Sequence, residues 1–193
     1  MRSVLRLVLV LAAFVAAGCG GGGSDPSSPA PGADIGAPAT SASSTSGGQA
    51  MQLTSPSFSE GGTIPDRFTC DGDDVSPQLD VVGVPAEATV LALVMDDPDA
   101  PQATWDHWVV FDVPVTESIV EDVGPIGVAG ANSWGDVGYG GPCPPSGTHR
   151  YVFRVFAFAE PLGLGEGSSK ADLLAAAEGN VLAEASLTAF YGR

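Results

Sequence analysis

The chain has 193 residues, enough for one domain of ordinary size, and carries a net charge of −16 at pH 7. Charged residues make up only 16% of it, whereas glycine and proline number 26 and 16, a balance that favours strands and turns over long solvated helices. The acidic excess argues against a nucleic-acid partner, because a phosphate backbone is bound by a basic surface. Any anion bound by this chain must therefore be held by local donors against an unfavourable overall field.

Residues 1–18 have the pattern of a bacterial lipoprotein signal peptide. Two arginines precede an apolar run, residues 7–17, which is too short to span a bilayer but suits the core of a signal peptide. Small residues at positions 16–18 then lead into Cys19, as in a lipobox. We expect the Cys19 thiol to be acylated, which would anchor the exported protein to the outer face of a bacterial membrane. The alternative is an ordinary secretory signal cut nearby, with Cys19 left free or lost.

Residues 19–50 are predicted to be a disordered tether that follows the lipidated Cys19. Glycine, serine, alanine, proline and threonine dominate this stretch, and Ile35 is its one bulky aliphatic residue. Such a composition cannot bury enough surface to offset the entropy lost on ordering. The expected root-mean-square reach is on the order of 30 Å, enough to hold a domain clear of a membrane surface.

The other two cysteines, Cys70 and Cys143, form an even pair 73 positions apart. An exported protein resides where disulfides form and persist, so the pair predicts a disulfide. The alternative is two buried free thiols, since the sequence does not show that the two side chains meet.

The remaining residues, 51–193, have the pattern of one β-rich domain. Val- and Phe-rich apolar runs at residues 89–95, 107–113 and 150–159 are bounded by proline, glycine or aspartate, as expected for well-covered central strands. Shorter runs at residues 52–58 and 79–82 predict two further strands.

One helix is expected near the C-terminus, over residues 170–178. Ser168 or Ser169 can serve as its N-cap, and the Gly-Asn pair at residues 179–180 is a strong stop signal. The stop favours a strand, rather than continued helix, for residues 181–191.

Two aspartates and both histidines of the chain lie at the ends of predicted strands. Asp97 and Asp99 directly follow the first central strand in a Pro-stiffened turn, while His107 and His149 begin the next two. Singly, each residue is typical of an acidic turn or a structural histidine. If they converge at one end of a sheet, the imidazole N–H groups, oriented by a carboxylate, could line a pocket for a phosphate or carboxylate oxygen.

A loop rich in glycine and proline, residues 124–147, is long enough to suggest a functional role. Its last part, residues 138–147, could complete the pocket, because glycines let backbone N–H groups approach an anion closely. The loop lacks the Lys-Ser/Thr ending of a nucleotide-binding loop, so by itself it is weak evidence.

Several motifs in this order resemble those of a known family. They are Thr69-Cys70-Asp71-Gly72, Val75-Ser76-Pro77, Asp97-Pro98-Asp99-Ala100-Pro101, His107-Trp108, Gly140-Gly141-Pro142-Cys143-Pro144-Pro145-Ser146-Gly147, His149-Arg150-Tyr151 and Leu182-Ala183-Glu184-Ala185. Together they resemble the phosphatidylethanolamine-binding protein family and, within it, the bacterial Raf-kinase-inhibitor-like branch.

The resemblance covers essentially all of residues 51–193 and implies a fold and a site. The implied fold is mainly β: an antiparallel β-sandwich of two sheets, with one or two short helices near the C-terminus. The implied site is a cavity for phosphate-like anions. The positions that match its pocket are Asp97, His107 and His149, and those that match its rim are Asp99, Pro101, Gly141 and Pro142.

The favoured function is therefore non-enzymatic binding of a small anionic ligand or a phospholipid headgroup, with no metal and no cofactor. A hydrolase is the first alternative, with Ser76, Ser133 or Ser146 as nucleophile, although no Gly-x-Ser-x-Gly elbow is present. A metal site built from two histidines and an aspartate is a weaker alternative. Regulation of an extracytoplasmic protein partner is another, suggested by the branch name alone.

Overall fold

A computed structural model of the protein describes residues 50–193. The predictions for the signal peptide (residues 1–18), for lipidation of Cys19 and for the tether lie outside the described residues. Within them, the elements in chain order are β1 (Gln52–Thr54), a short 3-10 helix (Asp66–Phe68), β2 (Leu79–Val82), β3 (Val90–Asp97), β4 (Trp105–Pro114), β5 (Ser118–Ile119), β6 (Val128–Ala129), β7 (Thr148–Phe158), α1 (Lys170–Ala177) and β8 (Val181–Gly192).

The strands form two antiparallel sheets. The larger sheet has five strands in the order β6-β4-β3-β7-β8, and the smaller has three in the order β1-β2-β5. The central strand β3 is buried along its whole length, which explains why its sequence is a continuous apolar run. The prediction of a mainly β, antiparallel sandwich with a short helix near the C-terminus is confirmed.

Most of the predicted strands occur with small changes of length. The strand expected over residues 52–58 is the exception, since β1 ends at Thr54. Pro56 has no N–H to donate to a partner strand. Beside it, the Ser55 hydroxyl donates to the carbonyl of Gln78 and accepts from the N–H of Ser57, which turns the chain out of the sheet.

The five-stranded sheet packs on both faces. Alternate residues of β3 belong to two different apolar cores, with Leu93 and Met95 in the core between the two sheets and Val94 in a core on the outer face. The outer core is completed by Leu173 and Ala177 of α1. The larger sheet is thus the middle layer, and its strand ends can present side chains to either side.

Helix α1 begins at a capping box. The hydroxyl of Ser169 accepts from the N–H of Asp172, and the Asp172 carboxylate accepts from the N–H of Ser169. Gly179, with φ of 75°, follows the helix in the left-handed region that favours glycine. Within residues 50–193, no helix is long and apolar enough to cross a membrane.

Packing of α1 on the sheet can be tested at two neighbouring leucines. Leu173 is fully buried in the outer core, whereas Leu174 is 39% exposed. We expect Leu173→Ala to lower the free energy of unfolding by about 2–5 kcal/mol, because it leaves a cavity, and Leu174→Ala to change it by less than about 1 kcal/mol. Urea denaturation of both variants measures the difference; equal losses would contradict the orientation of α1.

Candidate functional site

Two residues of the site are placed by strand alternation. On β3, Met95 packs in the core between the sheets, so Asp97, two residues further on, faces the same way. On β7, Tyr151 belongs to the same core, so His149 also faces this side. The β3–β7 pairing brings the two strand ends together, and both side chains line one small cavity there.

The third residue, His107, is placed by a β-bulge. Met95 pairs with Trp108 and Asp96 pairs with Asp106, so His107 is an extra residue of β4 with no partner on β3. Strict alternation would put His107 and Trp108 on opposite faces of the sheet. The bulge instead lets His107 line the cavity while Trp108 stays in the core between the sheets, and it leaves Asp106 beside Asp96.

Asp97 and His149 form a buried ion pair or hydrogen-bonded dyad at the floor of the cavity. Nδ1–H of His149 donates to Oδ2 of Asp97 over 2.7 Å, and the side chains are 10% and 5% exposed. The second carboxylate oxygen of Asp97 accepts from the N–H of Asp99 at 2.8 Å. Because both Asp97 oxygens are bonded, the His149 ring is fixed, and Nε2 is the nitrogen left for a ligand.

His107 is held by the loop after β6. Its Nδ1–H donates to the carbonyl of Gly140 at 2.7 Å, and its own carbonyl accepts from the N–H of Gly140 at 3.0 Å. Burial lowers the pKa of His107 below its ordinary value, outweighing the opposite effects of the Gly140 carbonyl and the Asp97 charge. Near neutral pH the ring is therefore neutral, with its proton on Nδ1 and a lone pair on Nε2.

Aromatic side chains lie at the mouth of the cavity and behind the His107 ring. Trp105 and Trp134 pack edge to face at 5.4 Å between ring centroids and are 36% and 47% exposed. The His107 ring packs edge to face against Trp134 at 5.0 Å and against Tyr151 at 5.2 Å. The buried Tyr151 hydroxyl has no hydrogen-bond partner among the described residues. Sequence reasoning did not assign any of these aromatic residues to the site.

The opposite wall is Cys143, Pro144 and Pro145, and the structure joins Cys143 to Cys70 in a disulfide with Cα atoms 5.5 Å apart. The same loop is also fixed at Gly141, whose N–H donates to Oδ1 of Asp74 at 2.7 Å. A Cβ at Gly141 would come within 2.5 Å of a neighbouring backbone oxygen, so only glycine allows this approach.

The glycine loop does not supply the backbone donors that its composition suggested. The N–H groups of Gly140, Gly141 and Gly147 donate to oxygens of His107, Asp74 and Arg193, respectively. These three donors are used to hold the loop in place and are not free to bind an anion. Gly140 and Gly141 therefore serve close packing of the wall, and the histidines are the donors and acceptors that face the cavity.

Three of the predicted rim residues differ from expectation in their placement. Pro101 lines the cavity, but Asp99, Gly141 and Pro142 do not. Both carboxylate oxygens of Asp99 accept from the guanidinium of Arg150, which lowers the pKa of Asp99 to about 2. Asp99 therefore stiffens the turn from outside, and Gly141 lines a neighbouring cavity instead.

The cavity lined by Asp97, His107 and His149, which we call the histidine cavity, is the candidate functional site because of its chemistry and not its size. Its volume is about 210 Å³, whereas an apolar cavity between β1 and β8 measures about 510 Å³. The lining of the larger cavity contains one titratable group, Glu60, and that carboxylate already accepts from the N–H of Thr188. In residues 50–193, no three His, Cys, Asp or Glu side chains are placed to hold a metal ion.

Comparison with known proteins agrees with this geometry. The family model described as phosphatidylethanolamine-binding protein matches residues 54–192. The described residues thus form an antiparallel β-sandwich with a small carboxylate–histidine cavity at its strand ends. The chain belongs to the phosphatidylethanolamine-binding protein family.

Relatives in sequence and in structure each cover about three quarters of the chain. A UPF0098 protein of Methanothermobacter thermautotrophicus is 49% identical over 150 residues, which is 74% of this chain and 99% of the relative. One from Aquifex aeolicus is 44% identical over 77% of this chain and 92% of its own. A homologue of Chlamydia trachomatis has a crystal structure with TM-score 0.72 and 39% identity, covering 75% and 98% of the two chains. The crystal structure of E. coli YbcL has a TM-score of 0.69 and 30% identity, and the match covers 74% of this chain and 98% of YbcL.

The lowered pKa of His107 makes stability depend on pH in a defined direction. As pH falls through the ordinary value of 6.5, the unfolded chain takes up a proton that folded His107 does not. The free energy of unfolding should therefore fall with pH in this range, and less so in His107→Gln. Urea denaturation at about pH 7.5 and about pH 5.5 measures this; identical pH slopes for the two proteins would contradict the neutral assignment.

The disulfide should stabilise the fold substantially. It closes a loop of 73 residues, for which the chain-entropy model gives about 4 kcal/mol. We expect the double variant Cys70→Ser, Cys143→Ser to lose free energy of unfolding of that order in urea denaturation. Wild-type protein in reducing agent is the control, and it should match the double variant if the bond itself is responsible.

Proposed function

We propose that the protein binds a small anionic group of the phosphate type in the histidine cavity. The observation that carries the proposal is the buried Asp97–His149 pair, which faces the same cavity as a second histidine held by a backbone carbonyl. Both rings use Nδ1 within the protein, so both leave Nε2 for a ligand. Two oriented imidazoles in a confined space are suited to grip oxygen atoms.

The two histidines have complementary hydrogen-bonding roles in this proposal. When His149 is protonated, the Asp97 carboxylate balances its charge and Nε2–H donates to an anionic oxygen. Neutral His107 accepts at Nε2, so it suits a P–OH group of the ligand. Together they favour a singly protonated phosphoryl group. Affinity should then weaken as pH rises, because the ligand loses the proton that Nε2 of His107 accepts.

The size and lining of the cavity limit the ligand. A volume of about 210 Å³ is below the roughly 300–1,000 Å³ of drug-sized pockets, so only a small group enters fully. Trp105 and Trp134 at the mouth offer apolar surface to whatever carries that group. A free phosphorylated metabolite and a phospholipid headgroup share this chemistry, and both are included in the proposal.

We also propose the finer assignments that depend on the N-terminal sequence and the motifs. The chain is placed in the bacterial Raf-kinase-inhibitor-like branch, as an exported lipoprotein anchored through Cys19 to the outer face of a membrane. Support comes from the small residues before Cys19 and from the ordered motifs around Asp97 and His149. An extracellular setting is also consistent with a disulfide between Cys70 and Cys143.

A hydrolase is the second candidate, because an oriented carboxylate–histidine dyad is also part of many nucleophilic sites. The described residues that line the cavity include no serine, threonine or lysine, and Cys143 is in a disulfide. One of the serines considered from sequence, Ser133, instead accepts from the N–H of Asp106 through its hydroxyl. Binding therefore explains the Asp97–His149 dyad without a nucleophile, which the described lining of the cavity does not contain. Regulation of a protein partner remains an alternative suggested by the branch name.

The proposal is tested by titrating the protein with inorganic phosphate and with phosphorylethanolamine while recording the imidazole NMR resonances. We expect both ligands to shift the His107 and His149 signals. Asp97→Asn should weaken binding about tenfold or more, because His149 loses its charged partner. Asp99→Asn, a matched change just outside the cavity, should alter affinity by less than about threefold.

Two outcomes would count against the proposal. If neither ligand moves either imidazole signal at millimolar concentration, the anion cavity is wrong. Turnover of a phosphate or carboxylate ester panel that is lost in Asp97→Asn but kept in Asp99→Asn would favour the hydrolase instead. Tighter binding of phosphorylethanolamine than of inorganic phosphate would point to a headgroup as the natural source.

A further inference from the structure

A cluster of four charged side chains lies on the outer face of the large sheet, behind the histidine cavity. Nζ of Lys170 donates to Oδ2 of Asp96 at 3.2 Å and forms an ion pair with Oδ1 of Asp106. The guanidinium of Arg154 also donates to Oδ2 of Asp96, at 2.5 Å. The Lys170 side chain is only 14% exposed and that of Asp96 only 6%. We call these four residues the Lys170 cluster.

The Lys170 cluster is adjacent in sequence to the site but on the other side of the sheet. Asp96 immediately precedes Asp97 on β3, and Asp106 immediately precedes His107 on β4. The bulge makes Asp96 and Asp106 direct cross-strand partners while His107 lines the cavity. A change in the spacing of the two strands at this pair would therefore also move Asp97 relative to His107.

Charge explains why a lysine is needed at this point. Two carboxylates directly opposite one another on one face of a sheet repel, and burial strengthens the repulsion. Arg154 reaches Asp96 alone, whereas Lys170 contacts both Asp96 and Asp106. With Lys170 present, the four formal charges sum to zero. Without it, the cluster would hold one uncompensated negative charge, and the strand ends would be pushed apart.

The position of Lys170 in its helix gives an independent argument. It is the first residue of α1, directly after the N-cap Ser169. A cation is unfavourable at a helix N-terminus, where the macrodipole is positive and the free N–H groups point outward. The sequence therefore breaks a local rule here. Such departures are expected where a side chain serves another purpose, and the contacts to Asp96 and Asp106 supply one.

The Lys170 cluster is also connected to the aromatic wall of the cavity. The N–H of Asp106 donates to the hydroxyl of Ser133 and the carbonyl of Asp106 accepts from the N–H of Ser133, both over 2.8 Å. Ser133 directly precedes Trp134. The N–H of Ala131 donates to the carbonyl of Ser168, two residues before Lys170, at 3.0 Å. The start of α1, Asp106 and the Trp134 turn thus form one hydrogen-bonded unit.

We propose that Lys170 is a positioning residue of the histidine cavity. It acts from the opposite face of the sheet by holding Asp96 and Asp106 together, which sets the spacing of Asp97 and His107. The ligand-binding part of this inference rests on the proposed function; the effect on the geometry of the ligand-free site does not.

The test compares wild type with Lys170→Met, which keeps an aliphatic stem of similar length and removes the charge. In ligand-free protein, we expect the His107 and His149 imidazole resonances to move. Affinity for inorganic phosphate is expected to fall about fivefold. Lys170→Arg should restore both, because it can contact both carboxylates. Leu174→Ala is the control: it shortens an exposed side chain of the same helix without touching the cluster or the helix cap, so the imidazole signals should not move.

Unmoved imidazole signals and wild-type affinity in Lys170→Met would overturn the proposal, as would equal changes in Leu174→Ala. If Lys170→Met does not fold, the double variant with Asp106→Asn replaces it, since it removes the like-charge pair and restores zero net charge. That variant should show near-wild-type signals and affinity, and a fivefold or larger loss there would contradict the role assigned to charge. If wild type itself does not bind phosphate, the proposed function fails, while the ligand-free imidazole signals still judge Lys170.

Discussion

The bulge at His107 is the constraint on which the rest of the site depends. One extra residue in β4 lets His107 and Trp108 both lie on the side of the sheet that faces the three-stranded layer. The same extra residue also accepts, through its backbone carbonyl, from the N–H of Gly140, which ties the glycine-rich loop to the sheet. It also sets two carboxylates opposite each other on the outer face. The placement of His107 in the cavity, the anchoring of the glycine-rich loop and the Lys170 cluster therefore all depend on this one bulge.

The two faces of the large sheet carry different sets of polar side chains. The inner face carries a neutral histidine, an oriented histidine and a buried carboxylate, with few other polar contacts for a ligand. The outer face carries a balanced set of charges that is sealed by α1. This division would allow an acidic protein to keep the anion-binding cavity that we propose. The negative charges nearest the cavity are either paired with a histidine, as in Asp97, or bonded to Arg150, as in Asp99.

Much of the fold could be predicted from sequence because the central strands are nearly continuous apolar runs, and the Gly-Asn stop at residues 179–180 separates α1 from β8. Two-residue strands such as β5 leave no periodic signal.

For the site, motif order indicated Asp97, His107 and His149. Neither the bulge nor the partner of Asp99 follows from local pattern, since both depend on which strand lies alongside. Sequence reasoning missed Trp134, although Asn132 offers a signal. The Asn132 side chain accepts N–H bonds from Trp134 and Asp136, and asparagine favours turns in which it bonds the backbone two residues on.

The arrangement of the three tryptophans has an optical consequence. Trp108 is 4% exposed in the core, whereas Trp105 and Trp134 lie half-open at the mouth of the cavity. Emission from the core indole should be blue-shifted and insensitive to solute quenchers, while the two outer indoles emit at longer wavelength. The red part of the intrinsic fluorescence spectrum thus belongs almost entirely to the cavity. If the cavity binds a ligand as proposed, these two indoles would report it without a dye or an added label.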